Sequence, residues 1–417
     1  MMDQVNDVIM NTPTYLHIHC KPSASTWIQS NRTYRLSLVL LNEMDQYDNT
    51  LLMQYSEQPL VIQCEVIHRS MVNNHQHGVS VSISERTKPV INLYTGTVTI
   101  DIVYHNTITS RYDSNNEYRL LVSVRPHPCS DIVLPYTTTP FKLVNHHKLD
   151  DCTSYHCIAN ITHAIPIVLL TSGTGVATTP NQLMLVSEVS GVYIGQRIWD
   201  SSLLLMRYIQ QYNITDNQLI CTNNNAGNGN AGWLIDKSII ELGAGTGLVS
   251  IYLYHILQLY SHQYNHTYTT NILVTDLPEC MELLQYNVQQ NTQLYNSSHN
   301  INITALPYEF NNVSHHQQLP IKQYDVIICS DLIYNSTFFD VLISSIQLLS
   351  HDHTRLLMSY RPRINSDTVD PLFFNQLYKH NYIMYVLHRY QNVYIILFSK
   401  TRLNDINVRN YKLPFQQ

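Results

Sequence analysis

The fold of the C-terminal half is decided by the stretch Ser238-Ile-Ile-Glu-Leu-Gly-Ala-Gly-Thr-Gly-Leu-Val-Ser-Ile-Tyr252. Its apolar run, residues 239–242, predicts a buried strand, and apolar residues then recur at helical spacing over 248–259. Glycines at alternate positions from 243 to 247 join the two elements. Because glycine has no side chain, such a turn brings backbone N–H groups and the positive end of a helix close to a ligand.

An acidic residue distinguishes this turn from a dinucleotide-binding loop. Glu241 lies within the strand, and the spacing is G-x-G-x-G rather than G-x-G-x-x-G. The following segment, residues 272–278, predicts a second strand that ends in Asp276. A carboxylate at this position can accept both ribose hydroxyls of a nucleoside. The intervening Tyr/His/Asn/Thr tract, residues 260–270, is interpreted as a surface insertion.

A third segment, residues 324–334, predicts a strand that runs into the polar residues Ser330, Asp331 and Tyr334. Open α/β sheets bind their ligands at the carboxyl ends of the strands. The polar ends of three separate segments are therefore expected to meet in one crevice.

Two of these patterns resemble a known family. The string E-L-G-A-G-T-G-L resembles motif I of the class I, seven-strand S-adenosylmethionine-dependent methyltransferases, and residues 195–208 resemble the G-x-x-x-W-x-x-x-x-x-L segment of the methyltransferase-like protein-lysine methyltransferases (methyltransferase family 16). The resemblance implies an α/β fold with a doubly wound, Rossmann-like seven-strand sheet and S-adenosyl-L-methionine as cofactor. It places the D-x-x-Y element, with the catalytic roles, at Asp331 and Tyr334. The cofactor-binding residues that we assign are Trp199, Glu241, Gly243, Ala244, Gly245, Gly247, Asp276, Leu277, Tyr308 and Ser330.

The resemblance covers about the last 235 residues and has one departure. Many relatives carry a tryptophan near the adenine after the third strand, and Tyr308 replaces it here. Tyrosine keeps an aromatic face on which a base can stack.

Each of these residues also has a purely structural interpretation. The glycine turn can be a tight connection without a ligand, and Asp276 can cap the helix that follows it. Asp331 can cap a helix over 338–349, Tyr334 can be an ordinary core aromatic, and Trp199 can anchor the first helix.

Length and composition limit the remaining classes. The chain has 417 residues, more than the roughly 250–300 at which single cores stop growing, so two domains are expected. A net charge of −6 without a Lys/Arg stripe argues against nucleic acid as a partner. Because no apolar run reaches 18 residues and the N-terminus lacks the features of a secretory signal, we expect neither a membrane span nor a signal peptide.

The N-terminal third alternates apolar and polar residues with a period of two, as half-buried strands do. Examples are Leu36, Leu38 and Leu40, and the runs over 79–83, 98–104 and 118–124. Residues 1–147 are predicted to form an all-β, immunoglobulin-like sandwich, 148–180 a connector, and 181–417 the methyltransferase domain, which opens with a hairpin over Leu183 to Ile194.

Two further patterns are weak. A second G-x-G at 173–175 is followed by no helical periodicity, so we expect a loop there. Zinc at His146, His147, Cys152, His156 and Cys157 would require tighter paired spacing, and no metal is predicted. Eight scattered cysteines without C-x-x-C pairs indicate reduced thiols, and hence a cytoplasmic or nuclear protein.

The prediction from the sequence is a protein-lysine N-methyltransferase whose partner is a lysine-containing protein. A methyltransferase acting on protein histidine or a small molecule, and a cofactor-binding scaffold without turnover, are the alternatives. The substrate, the number of methyl groups added and the oligomeric state stay open.

Overall fold

The computed structural model describes the following residues: 16–20, 27–29, 33–41, 60–68, 79–83, 88–92, 97–106, 118–124, 133–134, 136–137, 142–144, 161–167, 183–189, 193–212, 233–264, 269–292, 300–363, 366–390, 392–404, 413 and 415. They form two compact units. The N-terminal unit contains the described residues of 16–166 and 183–189, and the C-terminal unit contains those from Tyr193 onward.

Every described element of the N-terminal unit is a strand. The strands are β1 (Leu16–Cys20), β2 (Trp27–Gln29), β3 (Thr33–Leu41), β4 (Ile62–His68), β5 (Val79–Ile83), β6 (Thr97–Asn106), β7 (Tyr118–Val124), β8 (Val133–Leu134), β9 (Tyr136–Thr137), β10 (Lys142–Val144), β11 (Ile161–Pro166) and β12 (Leu183–Glu188). Two five-stranded sheets, β5-β6-β3-β1-β8 and β12-β11-β9-β7-β4, and the pair β10-β2 are formed by the described residues.

The predicted alternation is confirmed in β3, where Leu36, Leu38 and Leu40 are buried while Arg35 and Ser37 are exposed. Most strand pairs are antiparallel, as predicted. However, β1 pairs with β8, and β2 with β10, in parallel. The immunoglobulin-like topology therefore stays a prediction.

The hairpin predicted over Leu183 to Ile194 is wrong. Strand β12 pairs with β11 in the N-terminal unit, and Ile194–Gln196 is a turn of 3-10 helix. Side-chain hydrogen bonds across the β11–β12 pair hold its register, between Thr162 and Ser187 at 2.8 Å and between His163 and Glu188 at 3.0 Å. The predicted boundaries at 147 and 180, the second G-x-G and the zinc candidates lie outside the described residues.

The C-terminal unit contains the predicted mixed sheet, with seven described strands in the order β15-β14-β13-β16-β17-β19-β18. They are β13 (Ser238–Leu242), β14 (Thr270–Asp276), β15 (Ile301–Pro307), β16 (Tyr324–Ser330), β17 (Ser350–Tyr360), β18 (Ile383–Tyr390) and β19 (Val393–Ser399). The described α-helices are α1 (Asp200–Tyr212), α2 (Leu248–Tyr264), α3 (Met281–Thr292), α4 (Val313–Gln318), α5 (Phe339–Leu349) and α6 (Ser366–Lys379). The surface insertion predicted over 260–270 is partly helical, since α2 continues to Tyr264.

The strand order creates a switch point between β13 and β16. Strands β14 and β15 lie on one side of β13, and β16 and β17 on the other, all in parallel. A ligand crevice is expected outside the carboxyl ends of strands at such a point. The two inner strands are almost continuously buried, as strands covered on both faces are.

Candidate active site

The glycine turn connects β13 to α2 with three residues in the left-handed region. Gly243, Gly245 and Gly247 have φ values of 56°, 59° and 79°. L-residues with a side chain rarely adopt these angles, so glycine is needed for this path. The Ala244 N–H donates to the Thr275 carbonyl at 2.9 Å, which ties the turn to the end of β14.

Glu241 lies beneath the turn in the protein interior and does not line the crevice. Its side chain is buried, and Oε2 accepts from the Ser250 N–H at 3.1 Å, in the first turn of α2. The other carboxylate oxygen, Oε1, is buried without a hydrogen-bond partner. Burial raises the pKa of this carboxyl group to about 7. The structure thus assigns Glu241 to loop support rather than to the direct cofactor contact predicted from the motif.

The raised pKa predicts an unusual pH dependence of stability. The native protein holds the Glu241 proton up to pH about 7, whereas the unfolded chain loses it near its ordinary value of 4.5. The free energy of unfolding therefore falls as pH rises between these values, by about 3 kcal/mol at about 1.4 kcal/mol per pH unit. Denaturant titrations of Glu241→Gln, which cannot ionise, should lack this slope.

The comparison is best made in a Trp27→Phe background, because Trp199 and Trp233 then report only the C-terminal unit. His255 acts in the opposite direction, since burial lowers its pKa to about 4 and stability is lost as pH falls from about 6.5. This contribution is common to both proteins and cancels in the difference. Parallel pH profiles for wild type and Glu241→Gln would contradict the assignment.

Asp276 joins the second predicted strand to the glycine turn. Its Oδ2 accepts from the Gly245 N–H at 2.6 Å, and its Oδ1 accepts from the Leu277 N–H at 2.7 Å. The predicted alternative, a helix cap, is not seen, because the 3-10 turn Pro278–Cys280 has no side-chain cap. The carboxylate is largely buried, and desolvation raises its pKa. Each carboxylate oxygen has two lone pairs, and the Cys280 thiol, a weak donor, also hydrogen-bonds to the carboxylate, so one acceptor position is left for a ligand.

Residues 193–199, here called the cover segment, lie directly against this site. A Cβ atom at Gly195 would be 2.8 Å from Cys280 Sγ, and 3.5 and 3.6 Å from the two Asp276 carboxylate oxygens. A Cβ atom at Gly245 would be 2.8 Å from the Gly195 carbonyl oxygen. Glycine is therefore needed at 245 because of the Gly195 backbone, and at 195 because of the Cys280 and Asp276 side chains. Trp199 ends the segment half-buried, and its Nε1 donates to the Ile194 carbonyl at 3.1 Å.

The end of β16 supplies the third part of the site. Ser330 and Asp331 are both nearly buried, and Asp331 has a φ of 56° in the left-handed region. Its backbone N–H donates to the Ser359 carbonyl at 3.1 Å. Its carboxylate accepts from Arg363 Nη2 at 2.5 Å. Asp331 is thus not the cap of the helix that follows, a role taken at the preceding 3-10 turn by Asn335.

Tyr334 is exposed at the surface and is not a core aromatic, with 47% of its area accessible. Partial burial raises the pKa of its hydroxyl, and the charges of Asp276 and Asp331 raise it further. The phenol is therefore protonated at neutral pH. Because both carboxylates act on one hydroxyl, the ends of β14 and β16 share a single electrostatic environment.

Two predicted cofactor residues take different positions. Leu277 is 41% exposed beside Asp276 and offers an apolar surface. Tyr308 has a backbone N–H that donates to the Asp276 carbonyl at 2.8 Å, but its ring is 1% exposed and packs in the hydrophobic core. The ring consequently offers no open face on which adenine could stack.

Sequence reasoning missed the roles of Gly195 and Arg363. Gly195 could have been found from the G-x-x-x-W spacing, whereas Arg363 follows the end of β17 without any motif.

Within the described ranges, no group of three or more His, Cys, Asp or Glu side chains could hold a metal ion. No helix in the described part of the chain combines the length and apolar composition of a membrane span.

The sequence model of the family described as lysine methyltransferase matches residues 178–380. Residues 178–380 thus resemble the lysine methyltransferase family. The methyltransferase domain, as we now call the C-terminal unit, is 27% identical over 179 residues to the mouse protein-lysine methyltransferase METTL21E, covering 42% of this chain and 59% of that one. It is 29% identical over 175 residues to the Xenopus tropicalis protein N-lysine methyltransferase METTL21A, covering 41% and 62%. The chain therefore spans less than two thirds of the length of these curated relatives.

Among solved structures, a precorrin-6y C5,15-methyltransferase from Geobacter metallireducens aligns with a TM-score of 0.31 at 12% identity, over 52% of this chain and 93% of that one. The family makes S-adenosyl-L-methionine the cofactor of the methyltransferase domain. The residues present fit it, because Asp276 is held against the glycine turn and retains an acceptor position for a ribose hydroxyl.

Proposed function

We propose that the methyltransferase domain transfers a methyl group from S-adenosylmethionine to a lysine side chain of a protein partner. The observation that carries the proposal is the hydrogen bond of 2.6 Å from the Gly245 N–H to the Asp276 carboxylate. It joins two of the three predicted segments, and Tyr334, from the third, lies in the field of Asp276. These contacts support one crevice in which cofactor-binding and acceptor-binding groups lie together.

The cofactor side of the crevice consists of the glycine turn, Asp276 and Leu277. When bound, S-adenosylmethionine supplies an electrophilic methyl group. The remaining acceptor position of Asp276, together with the one taken by the weak Cys280 donor, suits the two ribose hydroxyls, and the exposed Leu277 side chain suits the adenine face. Trp199, at the end of the cover segment, excludes water from the same side.

The acceptor side consists of Asp331 and Tyr334. A buried carboxylate attracts and orients a lysine ammonium group. Once the ammonium group has lost its proton to solvent, the Tyr334 oxygen can accept a hydrogen bond from the amine N–H, which leaves the nitrogen lone pair for the methyl group. Holding donor and acceptor in contact contributes most to a transfer that needs little acid–base help.

The test is methyl transfer from radiolabelled S-adenosylmethionine to proteins of a lysate from cells that lack this chain, followed by mass spectrometry of the labelled residue. We expect methyl-lysine. Asp331→Asn should lower the rate by about 30-fold, because a loss of about 2 kcal/mol follows the removal of a charged hydrogen-bond acceptor. Its affinity for the cofactor should stay close to that of wild type, since Asp276 and the glycine turn are intact.

Asp352→Asn is the matched control, since Asp352 is an exposed carboxylate on β17. Its rate should equal that of wild type. Methyl-histidine, or a labelled small molecule, would replace the lysine proposal with the alternative acceptor. Cofactor binding without any labelled product would favour the scaffold without turnover.

The N-terminal unit is proposed to recruit or position the protein partner, as an all-β domain of immunoglobulin-like type. The pairing of β12 with β11 supports a methyltransferase domain whose compact part starts at Tyr193 rather than at residue 181. A cytoplasmic or nuclear location is supported by the thiols of Cys280 and Cys329, neither of which is in a disulfide.

A further inference from the structure

Arg363 lies between the cofactor side and the acceptor side of the crevice. Its Nη2 donates to Asp331 Oδ2 at 2.5 Å, and its guanidinium carbon is 6.0 Å from the centroid of the Trp199 ring. The Asp331 side chain is only 5% exposed, whereas that of Arg363 is 32% exposed. A single cation therefore contacts both the acceptor carboxylate and the aromatic residue that ends the cover segment.

The ion pair with Arg363 determines the orientation of the Asp331 side chain. Its backbone is held in the left-handed region by the hydrogen bond to the Ser359 carbonyl, but that contact does not set the side-chain torsion angles. An unpaired carboxylate at this depth would be costly, and a charge-assisted hydrogen bond from an arginine is both strong and directional. Arg363 thus selects one orientation of the Asp331 side chain.

The contact with Trp199 extends this effect to the cover segment. That segment also contacts the glycine turn, where the Gly195 backbone packs on Gly245 and on the Asp276 carboxylate. A guanidinium group placed near an indole face is attracted by its quadrupole. Asp370 adds a second carboxylate to the surroundings, since the charge of Arg363 opposes the rise that burial causes in the pKa of Asp370.

We propose that Arg363 is a positioning residue that couples the orientation of Asp331 to the placement of Trp199. It acts through these two side chains and does not touch the reacting atoms. The proposal rests on the proposed function and deepens it, because it explains how the acceptor group is aligned with the cofactor side.

The kinetic test compares Arg363→Gln, Arg363→Lys and the control Arg402→Gln, which replaces an exposed arginine. Arg363→Gln should lower kcat about tenfold, the equivalent of about 1.4 kcal/mol, while the Kd for S-adenosylmethionine changes less than about threefold. Arg363→Lys should restore part of kcat, because it keeps the charge without the planar fork. In an Asp331→Asn background, Arg363→Gln should have almost no further effect.

A second measurement does not depend on turnover. In a Trp27→Phe/Trp233→Phe background, Trp199 is the remaining tryptophan, and its fluorescence reports how far its ring is shielded from solvent. Both Arg363→Gln and Asp331→Asn should increase quenching of Trp199 by acrylamide, and the double variant should equal either single one. The Asp331 variant tests the coupling directly, because Arg363 contacts both Asp331 and Trp199.

The outcomes separate the two proposals. A wild-type protein that methylates nothing argues against the proposed function, while the quenching series still decides the coupling. Unchanged quenching in Asp331→Asn, or an Arg363→Gln variant with equal or higher kcat, would overturn the role of Arg363.

Discussion

Replacing Asp276 with alanine is expected to lower the affinity for S-adenosylmethionine by about 100-fold or more. Two hydroxyl donors would lose a charged acceptor, and each such hydrogen bond contributes about 1.5–3 kcal/mol, where about 1.4 kcal/mol is a factor of ten. The Gly245 and Leu277 N–H groups would also lose their partner, so the turn itself would be less ordered. Calorimetric titration of the full chain with the cofactor measures the loss.

Because that variant also removes structural hydrogen bonds, Asp276→Asn is the necessary companion. It keeps the shape of the side chain and one acceptor oxygen, but its amide nitrogen cannot accept. We expect a smaller loss of affinity than for alanine and a Tm between those of the alanine variant and wild type, because only one of the Gly245 and Leu277 N–H groups keeps its acceptor. Glu282→Gln, at an exposed acidic position on α3, should bind as wild type does. Unchanged affinity in both Asp276 variants would show that the ribose is held elsewhere.

The cofactor side of the site was largely predictable because its signals are local. A short apolar run followed by a glycine or an acid identifies the ends of β13 and β14. Parallel strands bring such ends to one edge of a sheet, so the meeting of Gly245 and Asp276 follows from the pattern. The first helix, which was expected next to Trp199, is present as α1.

Contacts between side chains distant in sequence could not be predicted in this way. Arg363 follows β17 in a segment without periodicity, and its pairing with Asp331, 32 residues away, arises only when the sheet has formed. The partner of β12 was missed for a related reason. The apolar run over residues 183–186 predicts a strand, and this strand is buried from Met184 to Glu188. The run does not say which strand lies beside it.

The motif also predicted residue type better than residue role. Glu241 was assigned to the cofactor because motif I contains an acid there, yet its carboxylate lies under the turn and bonds to Ser250. Tyr308 was assigned to stacking because it replaces an aromatic residue, but its ring belongs to the core. Both side chains are buried inside the protein and support the site without facing a ligand. Sequence alone does not show on which side of a strand end a side chain lies.

The glycine turn gives the second large prediction, in which Gly245→Ala and Gly243→Ala differ in whether they can be rescued. Both residues have positive φ, which costs alanine about 1–2 kcal/mol. At Gly245 the new Cβ would lie 2.8 Å from the Gly195 carbonyl oxygen, a backbone atom that cannot move aside. We expect Gly245→Ala to separate the cover segment from the turn and to lower cofactor affinity by about 100-fold, since strain and overpacking together cost about 3 kcal/mol.

At Gly243 the new Cβ would lie 2.6 Å from Leu332 Cδ2, which is the end of a side chain. Gly243→Ala/Leu332→Ala removes that contact, so the double variant should recover much of the affinity that Gly243→Ala loses. Leu332→Ala alone is the control, and no equivalent second substitution exists for Gly245, because its neighbour is backbone. If Gly245→Ala binds the cofactor as wild type does, the cover segment does not rest on the turn when the cofactor is bound, and the assignment of residues 193–199 to the site fails.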